Sequence, residues 1–186
     1  YGNYILKSVA DCMKECLSDK QRIYHLVADQ YVIVDLEHSS EEYAAELKKM
    51  IDARLYKFIV SEKYEAVFSI SVGVVDAVTF CEGYEECRKK FAFALKKAKK
   101  MGKNGFYIFD DNDYESFLRT GKIVAALRNS VVNGFNGFEV YYQPIVDCSS
   151  ERVIGAEALM RFSMPSEEGQ EVISPMEFIP LLEESG

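Results

Sequence analysis

Short β-rich segments alternate with amphipathic helical segments along the first 110 residues, and this alternation limits the fold more than any other feature of the chain. The predicted order is helix, strand, strand, helix, strand, helix, strand. The helical segments are 3–17, 39–56 and 82–105, and the β-rich ones are 22–27, 31–36, 66–76 and 106–110. This order is typical of an α+β or α/β sandwich with helices packed on a mostly shared sheet. Segment 66–76 is nearly all apolar, which predicts a strand buried on both faces.

The charge distribution divides the chain near residue 110. Residues 1–110 carry 17 acidic and 17 basic side chains, whereas residues 111–186 carry 13 acidic and 5 basic ones and so account for the net charge of −8. An acidic chain is a poor binder of nucleic acid, because phosphate neutralisation needs clustered Lys and Arg. The one basic stretch, 88–103, has helical periodicity. Its lysines form either a solvated helix face or, for one or two of them, a phosphate contact.

Beyond residue 110 the sequence predicts a helical connector over 111–134, followed by two short strands around the turn 147–152. A Pro/Gly-rich loop is expected at 163–171, and then a helix capped by Ser174 with Pro175 at its first position. The apolar residues of the connector form an incomplete heptad, which leaves pairing of two protomers as a coiled coil open. They are Phe117, Ile123, Val124, Leu127 and Val131.

Membrane insertion and export find no support in the sequence. It has no run of 18 uncharged apolar residues and no basic-then-apolar leader, so we expect a cytoplasmic chain, and a longer parent protein could carry an upstream membrane or sensor domain. The five cysteines include Cys12 and Cys16, four residues apart, which is the spacing of half a metal site. Without a CxxC pair or a His-rich cluster, reduced thiols packed as small hydrophobes are favoured.

Three motifs occur in order near the C-terminus: YYQPIV at 141–146, EAL at 157–159 inside GAEALMRF, and ISPMEFIPLLEESG at 173–186. Residues 138–186 therefore resemble the opening of an EAL domain, the family of bacterial cyclic-di-GMP phosphodiesterases. The resemblance implies the first strands and helix of a TIM-like barrel. It also implies Mg²⁺ or Mn²⁺ in the intact domain, with none expected to bind this fragment.

The resemblance to EAL domains assigns roles to four residues. Glu157 would be a carboxylate ligand of one of two catalytic metals, and Arg161 would contact a phosphate of cyclic-di-GMP. Gln143 and Leu159 would line the substrate pocket, and Phe162 stands where the family usually has Trp. The other ligands of that site would follow Gly186, so we expect this chain alone to hydrolyse nothing.

A second set of motifs lies in the first 110 residues: YHLVADQYVIV at 24–34, SISVGV at 69–74 and ALKKAKKMGKN at 94–104. They resemble the latter two thirds of a GGDEF domain, the diguanylate cyclase family, which implies part of its palm-like sheet with flanking helices. The first strand and helix of that family have no counterpart here. We expect the gap to leave unpaired strand edges, which an upstream segment or a strand swapped from a partner could fill.

Five residues occupy the signature turn of the cyclase family: Val27, Ala28, Asp29, Gln30 and Tyr31. Only Asp29, a vestigial metal ligand, matches the motif. Valine at a position that needs positive φ would be strained by roughly 1–2 kcal/mol and would obstruct the nucleotide. Gln30 also removes a charge, so we expect no cyclase activity.

Four more positions of the cyclase family bear on nucleotide binding. Lys99 and Lys103 match phosphate-binding positions, which keeps GTP as a second candidate ligand. Ser18 and Gln21 stand where an RxxD product-inhibition site would lie, and they replace its charged residues. We therefore expect no such inhibition site.

Together the two resemblances predict a degenerate GGDEF domain at 1–110, a helical linker at 111–137 and the start of an EAL domain at 138–186. The parent protein would be a metal-dependent enzyme that opens cyclic-di-GMP to the linear dinucleotide. The alternative is a non-catalytic receptor that binds cyclic-di-GMP or GTP. A homodimer through the GGDEF domain or the linker helix is compatible with both hypotheses.

Overall fold

The computed structural model describes residues 2–63 and 69–185. The chain divides into two units, residues 1–114 and residues 115–186, which are treated separately below. The elements are α1 (Gly2–Lys14), β1 (Gln21–His25), β2 (Tyr31–Asp35), α2 (Glu41–Ser61), β3 (Val72–Val74), α3 (Ala77–Phe80), α4 (Tyr84–Lys100), β4 (Phe106–Ile108), α5 (Asp111–Val132), β5 (Phe138–Asp147), β6 (Arg152–Ser166), β7 (Gly169–Ile173) and α6 (Pro175–Ser185).

The first unit holds two separate strand pairs within the described residues. Strands β1 and β2 form an antiparallel hairpin, and β3 and β4 pair in parallel. The prediction of one mostly shared sheet is therefore wrong for the described part of the chain. Strand β3 is only three residues long and offers few backbone groups for further pairing.

The strand predicted over 66–76 is also corrected by the structure. Strand β3 covers only Val72–Val74 and is half-buried, not enclosed on both faces. Helix α4 packs against it at Gly73, where the backbones lie close together. Residues 64–68 lie outside the described part of the chain, so only residues 66–68 of the predicted strand are untested, and residues 69–71 are not in a strand.

Two apolar clusters are found among the described residues of the first unit. In one, helices α1 and α2 cover the β1–β2 hairpin. Its buried members are Val9, Cys12, Met13, Ile51 and Leu55. In the other, Phe93 and Ala94 of α4 pack on Phe109, which follows β4. The cysteines of this unit form no disulfide bond among the described residues. Burial raises the pKa of the Cys12 and Cys16 thiols, which agrees with both side chains packing as small hydrophobes.

Helix α2 begins where the sequence predicted. Ser40 has an extended backbone, and its hydroxyl accepts a hydrogen bond from the Tyr43 amide. Glu41 and Glu42 in the first turn complement the helix dipole. The helix runs to Ser61, five residues past the predicted end at Tyr56, because Ile59 continues its buried stripe.

The second unit is a three-stranded antiparallel sheet in the order β5-β6-β7 with helices α5 and α6. Its strands are long, with 10 residues in β5 and 15 in β6, where two short strands were predicted. The loop predicted at 163–171 is also wrong, because β6 continues to Ser166 and pairs with β7. Burial of Met164 and Ile173 favours the strands over the local Pro and Gly signals.

Helix α6 begins at Pro175 after Ser174, as the sequence predicted. It packs through Phe178 against the sheet residues Phe162 and Ile173. Ile123 and Leu127 of α5 complete this core with 2% and 3% of their surface exposed. A coiled-coil seam in α5 could therefore not use these two residues. No helix in the described ranges is both long and apolar enough to span a bilayer.

Candidate functional site

The four residues that the EAL resemblance singles out lie on one face of the β5–β6 ladder. The register places Gln143 opposite Glu157, and Arg161 lies four residues further along β6. Leu159 lies between them, opposite Tyr141. Since alternate residues of a strand share a face, all of these side chains project from the same side. We call this side, with Glu139 opposite Arg161, the open face.

The opposite side of the ladder carries the core at one end. Phe138 and Phe162 pair across the strands with ring centroids 4.7 Å apart, and both rings contact Phe178 of α6. Phe162 is 1% exposed and fills the core of this unit. Arg161 precedes Phe162 in β6, and the packing of Phe162 fixes the backbone beside Arg161.

The open face is accessible to solvent. Gln143 and Glu157 are exposed, whereas Leu159 and Arg161 are half-buried. Tyr141 is 56% exposed and presents its ring on the same side. A polar ligand can therefore reach an amide, a carboxylate, an apolar side chain and a guanidinium group along two adjacent strands.

Arg161 is the cation of the open face. Its guanidinium carbon lies 5.6 Å from the centre of the Tyr141 ring, and its Nη1 donates to the Met160 carbonyl at 2.9 Å. In the described parts of the chain no carboxylate lies within 4 Å of the Arg161 nitrogens, although Glu139 stands directly opposite. Most N–H donors of Arg161 are thus available to an anion.

Arg119 of α5 contrasts with Arg161 in the same unit. Its Nε donates to Glu177 and its Nη1 to Glu171, both at 2.8 Å. The pKa of Glu177 is lowered because Arg119 stabilises its charged form. Arg119 therefore joins α5 to β7 and α6. Sequence reasoning missed this contact because Glu177 lies 58 residues away and nothing local signals it.

The turn between β1 and β2 corrects the predicted location of strain. Leu26 and Gln30 pair across its base, where the Leu26 amide donates to the Gln30 carbonyl at 3.0 Å. Within it the Gln30 amide donates to the Val27 carbonyl. The residue with positive φ is Ala28, at 52°, and not Val27. The first central position of this turn requires the left-handed backbone, so the strain falls one residue later than expected.

Asp29, Lys99 and Lys103 are the other cyclase-like positions with charged side chains. Asp29 is exposed, and in the described residues no hydrogen bond or ion pair links it to Lys99 or Lys103. Both lysines are exposed, one in the last turn of α4 and the other just after it. Tyr31 instead serves the core, since its hydroxyl donates to the Leu6 carbonyl at 2.9 Å. Burial and the nearby Asp29 raise its pKa.

Gln21 has a structural role at the end of the β1–β2 hairpin. It is 3% exposed, and its Oε1 accepts from the Ser18 amide at 2.9 Å. Its Nε2 donates to Asp35 and to the Tyr43 hydroxyl. The side-chain oxygen and nitrogen of Gln21 are therefore both engaged in hydrogen bonds within the first unit.

The C-terminal part of the chain matches a known protein family. Residues 124–186 match the family model of the EAL domain. The match begins inside α5 and includes the β5–β6 ladder with its open face.

Two similar curated proteins match the whole chain at low identity, and a third matches part of it. A bifunctional diguanylate cyclase/cyclic di-GMP phosphodiesterase of Pseudomonas aeruginosa, MucR, is 24% identical over 185 residues, which is 26% of its own length. The cyclic di-GMP phosphodiesterase NbdA of the same organism is 26% identical over 186 residues, or 23% of its length. The biofilm architecture maintenance protein MbaA of Vibrio cholerae is 33% identical over 116 residues, covering 62% of this chain and 14% of MbaA. The chain thus spans about a quarter of the length of the relatives that it matches in full.

The EAL-type residues do not form a complete metal centre by themselves. A divalent cation such as Mg²⁺ takes about six oxygen ligands. Glu157 supplies one carboxylate and Gln143, opposite to it, one amide oxygen. Within residues 2–63 and 69–185 no group of three His, Cys, Asp or Glu side chains could hold a metal ion. A two-metal centre would need further carboxylates from outside the described residues.

Proposed function

We propose that this chain is part of a cyclic-di-GMP signalling protein and that the β5–β6 ladder of its C-terminal unit forms one side of a phosphodiesterase active site. The in-register arrangement of Gln143, Glu157, Leu159 and Arg161 on the open face carries this proposal. The EAL match over 124–186 and the two Pseudomonas aeruginosa relatives support it.

The chemistry of the open face suits a cyclic dinucleotide. The planar guanidinium of Arg161 can donate two parallel hydrogen bonds to a phosphate. Leu159 offers an apolar contact to a nucleobase or sugar, and Gln143 offers both a donor and an acceptor. Glu157 provides one carboxylate near that phosphate position, and the remaining ligands would come from the rest of the longer protein.

The test of hydrolysis uses the full-length protein with cyclic-di-GMP and Mg²⁺ or Mn²⁺. We expect the linear dinucleotide to appear, and we expect Glu157→Gln to lower turnover by about 100-fold or more, as for loss of a metal-binding group. Glu168→Gln is the matched control, because it removes an exposed acidic residue of the same unit in the turn between β6 and β7, away from the open face. Equal turnover in Glu157→Gln and wild type would reject the catalytic assignment.

A non-catalytic receptor for cyclic-di-GMP is the second candidate function. It is favoured by the N–H donors of Arg161 that are available to an anion. Equilibrium dialysis of the full-length protein separates the two candidates. Micromolar binding of cyclic-di-GMP, with no linear dinucleotide formed in the presence of Mg²⁺ or Mn²⁺, would select the receptor. Formation of the linear dinucleotide would select the enzyme.

We propose that the first unit is a cyclase-like module without cyclase activity. The branched side chain of Val27 and the neutral Gln30 occupy positions where the active family has glycine and a carboxylate, and Asp29 has no acidic neighbours that form a metal cluster in the described residues. Incubation of the full-length protein with radiolabelled GTP and Mg²⁺ should yield no cyclic-di-GMP. Formation of that product would contradict this part of the proposal, and GTP retention without product would indicate residual binding through Lys99 and Lys103.

A further inference from the structure

We propose that Tyr141 is a positioning residue that holds the Arg161 guanidinium ready for a phosphate on the open face. This inference rests on the proposed function, because it concerns binding of cyclic-di-GMP by Arg161. Tyr141 lies outside the set of four residues discussed above as ligand contacts.

The register explains how the two side chains meet. Tyr141 stands opposite Leu159, so Arg161 is its diagonal neighbour on the same face. Diagonal neighbours in an antiparallel ladder lie within reach of aromatic and long side chains. The distance of 5.6 Å between the guanidinium carbon and the ring centre fits a cation–π contact.

The kind of partner matters for anion binding. A carboxylate occupies the N–H donors of an arginine, as Glu171 and Glu177 do for Arg119. An aromatic ring supports the cation through its face and leaves the N–H groups at the edge free. Among the described residues, only the Met160 carbonyl accepts a hydrogen bond from Arg161. The other N–H groups of the guanidinium therefore stay available to donate to a phosphate.

The neighbouring tyrosine provides a matched control. Tyr142 is 70% exposed, pairs with Ala158 and projects from the opposite side of the ladder. A change at Tyr142 therefore removes a similar exposed ring from the same strand without touching Arg161. Tyr141→Phe keeps the ring and removes only the hydroxyl.

The binding experiment measures the Kd for cyclic-di-GMP by calorimetry with the full-length protein in EDTA, so that hydrolysis does not interfere. We expect Tyr141→Leu to raise Kd about three- to thirtyfold, the range of a cation–π contact, and Tyr141→Phe and Tyr142→Leu to stay within about twofold of wild type. In an Arg161→Ala background, Tyr141→Leu should cause no further loss. Wild-type affinity in Tyr141→Leu, or equal additional loss in the Arg161→Ala background, would overturn the inference.

A ligand-free measurement separates this inference from the proposed function. The Nε–Hε resonance of Arg161 in a ¹H–¹⁵N spectrum should be shifted by the Tyr141 ring current, and the shift should vanish in Tyr141→Leu but persist in Tyr142→Leu. If the wild-type protein binds no cyclic-di-GMP, the proposed function fails, and this resonance then decides whether Tyr141 holds Arg161. Identical Arg161 resonances in the wild type and Tyr141→Leu would overturn the inference in either case.

Discussion

Gly73 of β3 lies so close to α4 that a Cβ atom on it would sit 2.4 Å from the backbone nitrogen of Leu95. The same atom would lie 2.9 Å from the Ala94 Cβ, so neither a flexible side chain nor a cavity can absorb it. We expect Gly73→Ala to lower the free energy of unfolding of the first unit by about 1–3 kcal/mol, the usual cost of overpacking. Urea unfolding monitored by circular dichroism measures this change.

Gly83, at the N-cap of α4, is the control for Gly73. Its backbone is extended, and an added Cβ would meet no atom within 4 Å. Gly83→Ser adds a Cβ at this open position and should leave the free energy of unfolding unchanged or slightly raised, since Ser is at least as favourable as Gly at a helix N-cap. Equal losses in both variants would mean that contact with α4 is not the cause.

Ala28→Gly should stabilise the first unit. Ala28 has a φ of 52°, and a left-handed backbone costs an L-residue roughly 1–2 kcal/mol. Glycine removes this strain but adds about 0.4–1 kcal/mol of unfolded-state entropy, so the net gain is about 0.5–1 kcal/mol. The unfolding midpoint in urea reports this gain.

Val27→Gly separates the two positions of the β1–β2 turn. Val27 has a negative φ, so glycine relieves no strain there and only makes the unfolded chain more flexible. We expect Val27→Gly to be neutral or destabilising by up to about 1 kcal/mol. Stabilisation by Val27→Gly and none by Ala28→Gly would restore the original expectation that Val27 carries the strain.

The sequence predicted those elements whose signals are local. Ser40 with Glu41 and Glu42 marks the start of α2, and Ser174 with Pro175 marks the start of α6. Each signal acts within one turn of helix, where capping and dipole interactions decide the structure.

The sequence failed where distant contacts decide the structure. Pro165 and Gly169 favour a loop locally, yet pairing of Phe162 with Ile173 in the core extends both strands through that region. The four EAL-type residues on the open face came from the family motifs, and no local pattern showed that Gln143 and Glu157 would stand opposite each other. That relation depends on the register between β5 and β6.

The Arg119 network predicts loss of stability in acid for the second unit. Arg119 lowers the pKa of Glu177 from its ordinary value of 4.5, so the native state favours the charged carboxylate. This contribution is fully present above about pH 4.5 and is lost as pH falls through the lower folded pKa. All three partners are more than a third exposed, so we expect less than about 1 kcal/mol.

The variant Arg119→Gln tests the acid dependence. Between pH 6 and pH 3.5, the wild type should lose more of its free energy of unfolding than Arg119→Gln does. Because salt screens exposed ion pairs, 0.5 M NaCl should reduce this difference between the wild type and the variant. Lys122→Gln, on the same helix without a carboxylate partner within 4 Å in the described residues, should follow the wild type. Parallel curves for Arg119→Gln and wild type would show that the network contributes nothing to acid stability.

The raised pKa of Tyr107 predicts that the first unit loses stability at alkaline pH. Burial, together with the hydrogen bond that its hydroxyl donates to Asp113 at 3.0 Å, raises its pKa to about 12. Since the folded pKa lies above the ordinary value of 10.0, the stabilisation is fully present below pH 10 and is lost as pH rises toward 12. At pH 11 the wild type should therefore have lost on the order of 1 kcal/mol of its free energy of unfolding that Tyr107→Phe does not lose.

Urea unfolding at pH 8 and pH 11 measures the free energy of unfolding of the wild type and of Tyr107→Phe. Tyr84→Phe is the control, because the Tyr84 ring is exposed in the same unit. Equal losses in Tyr107→Phe and wild type between the two pH values would place the alkaline transition at another group.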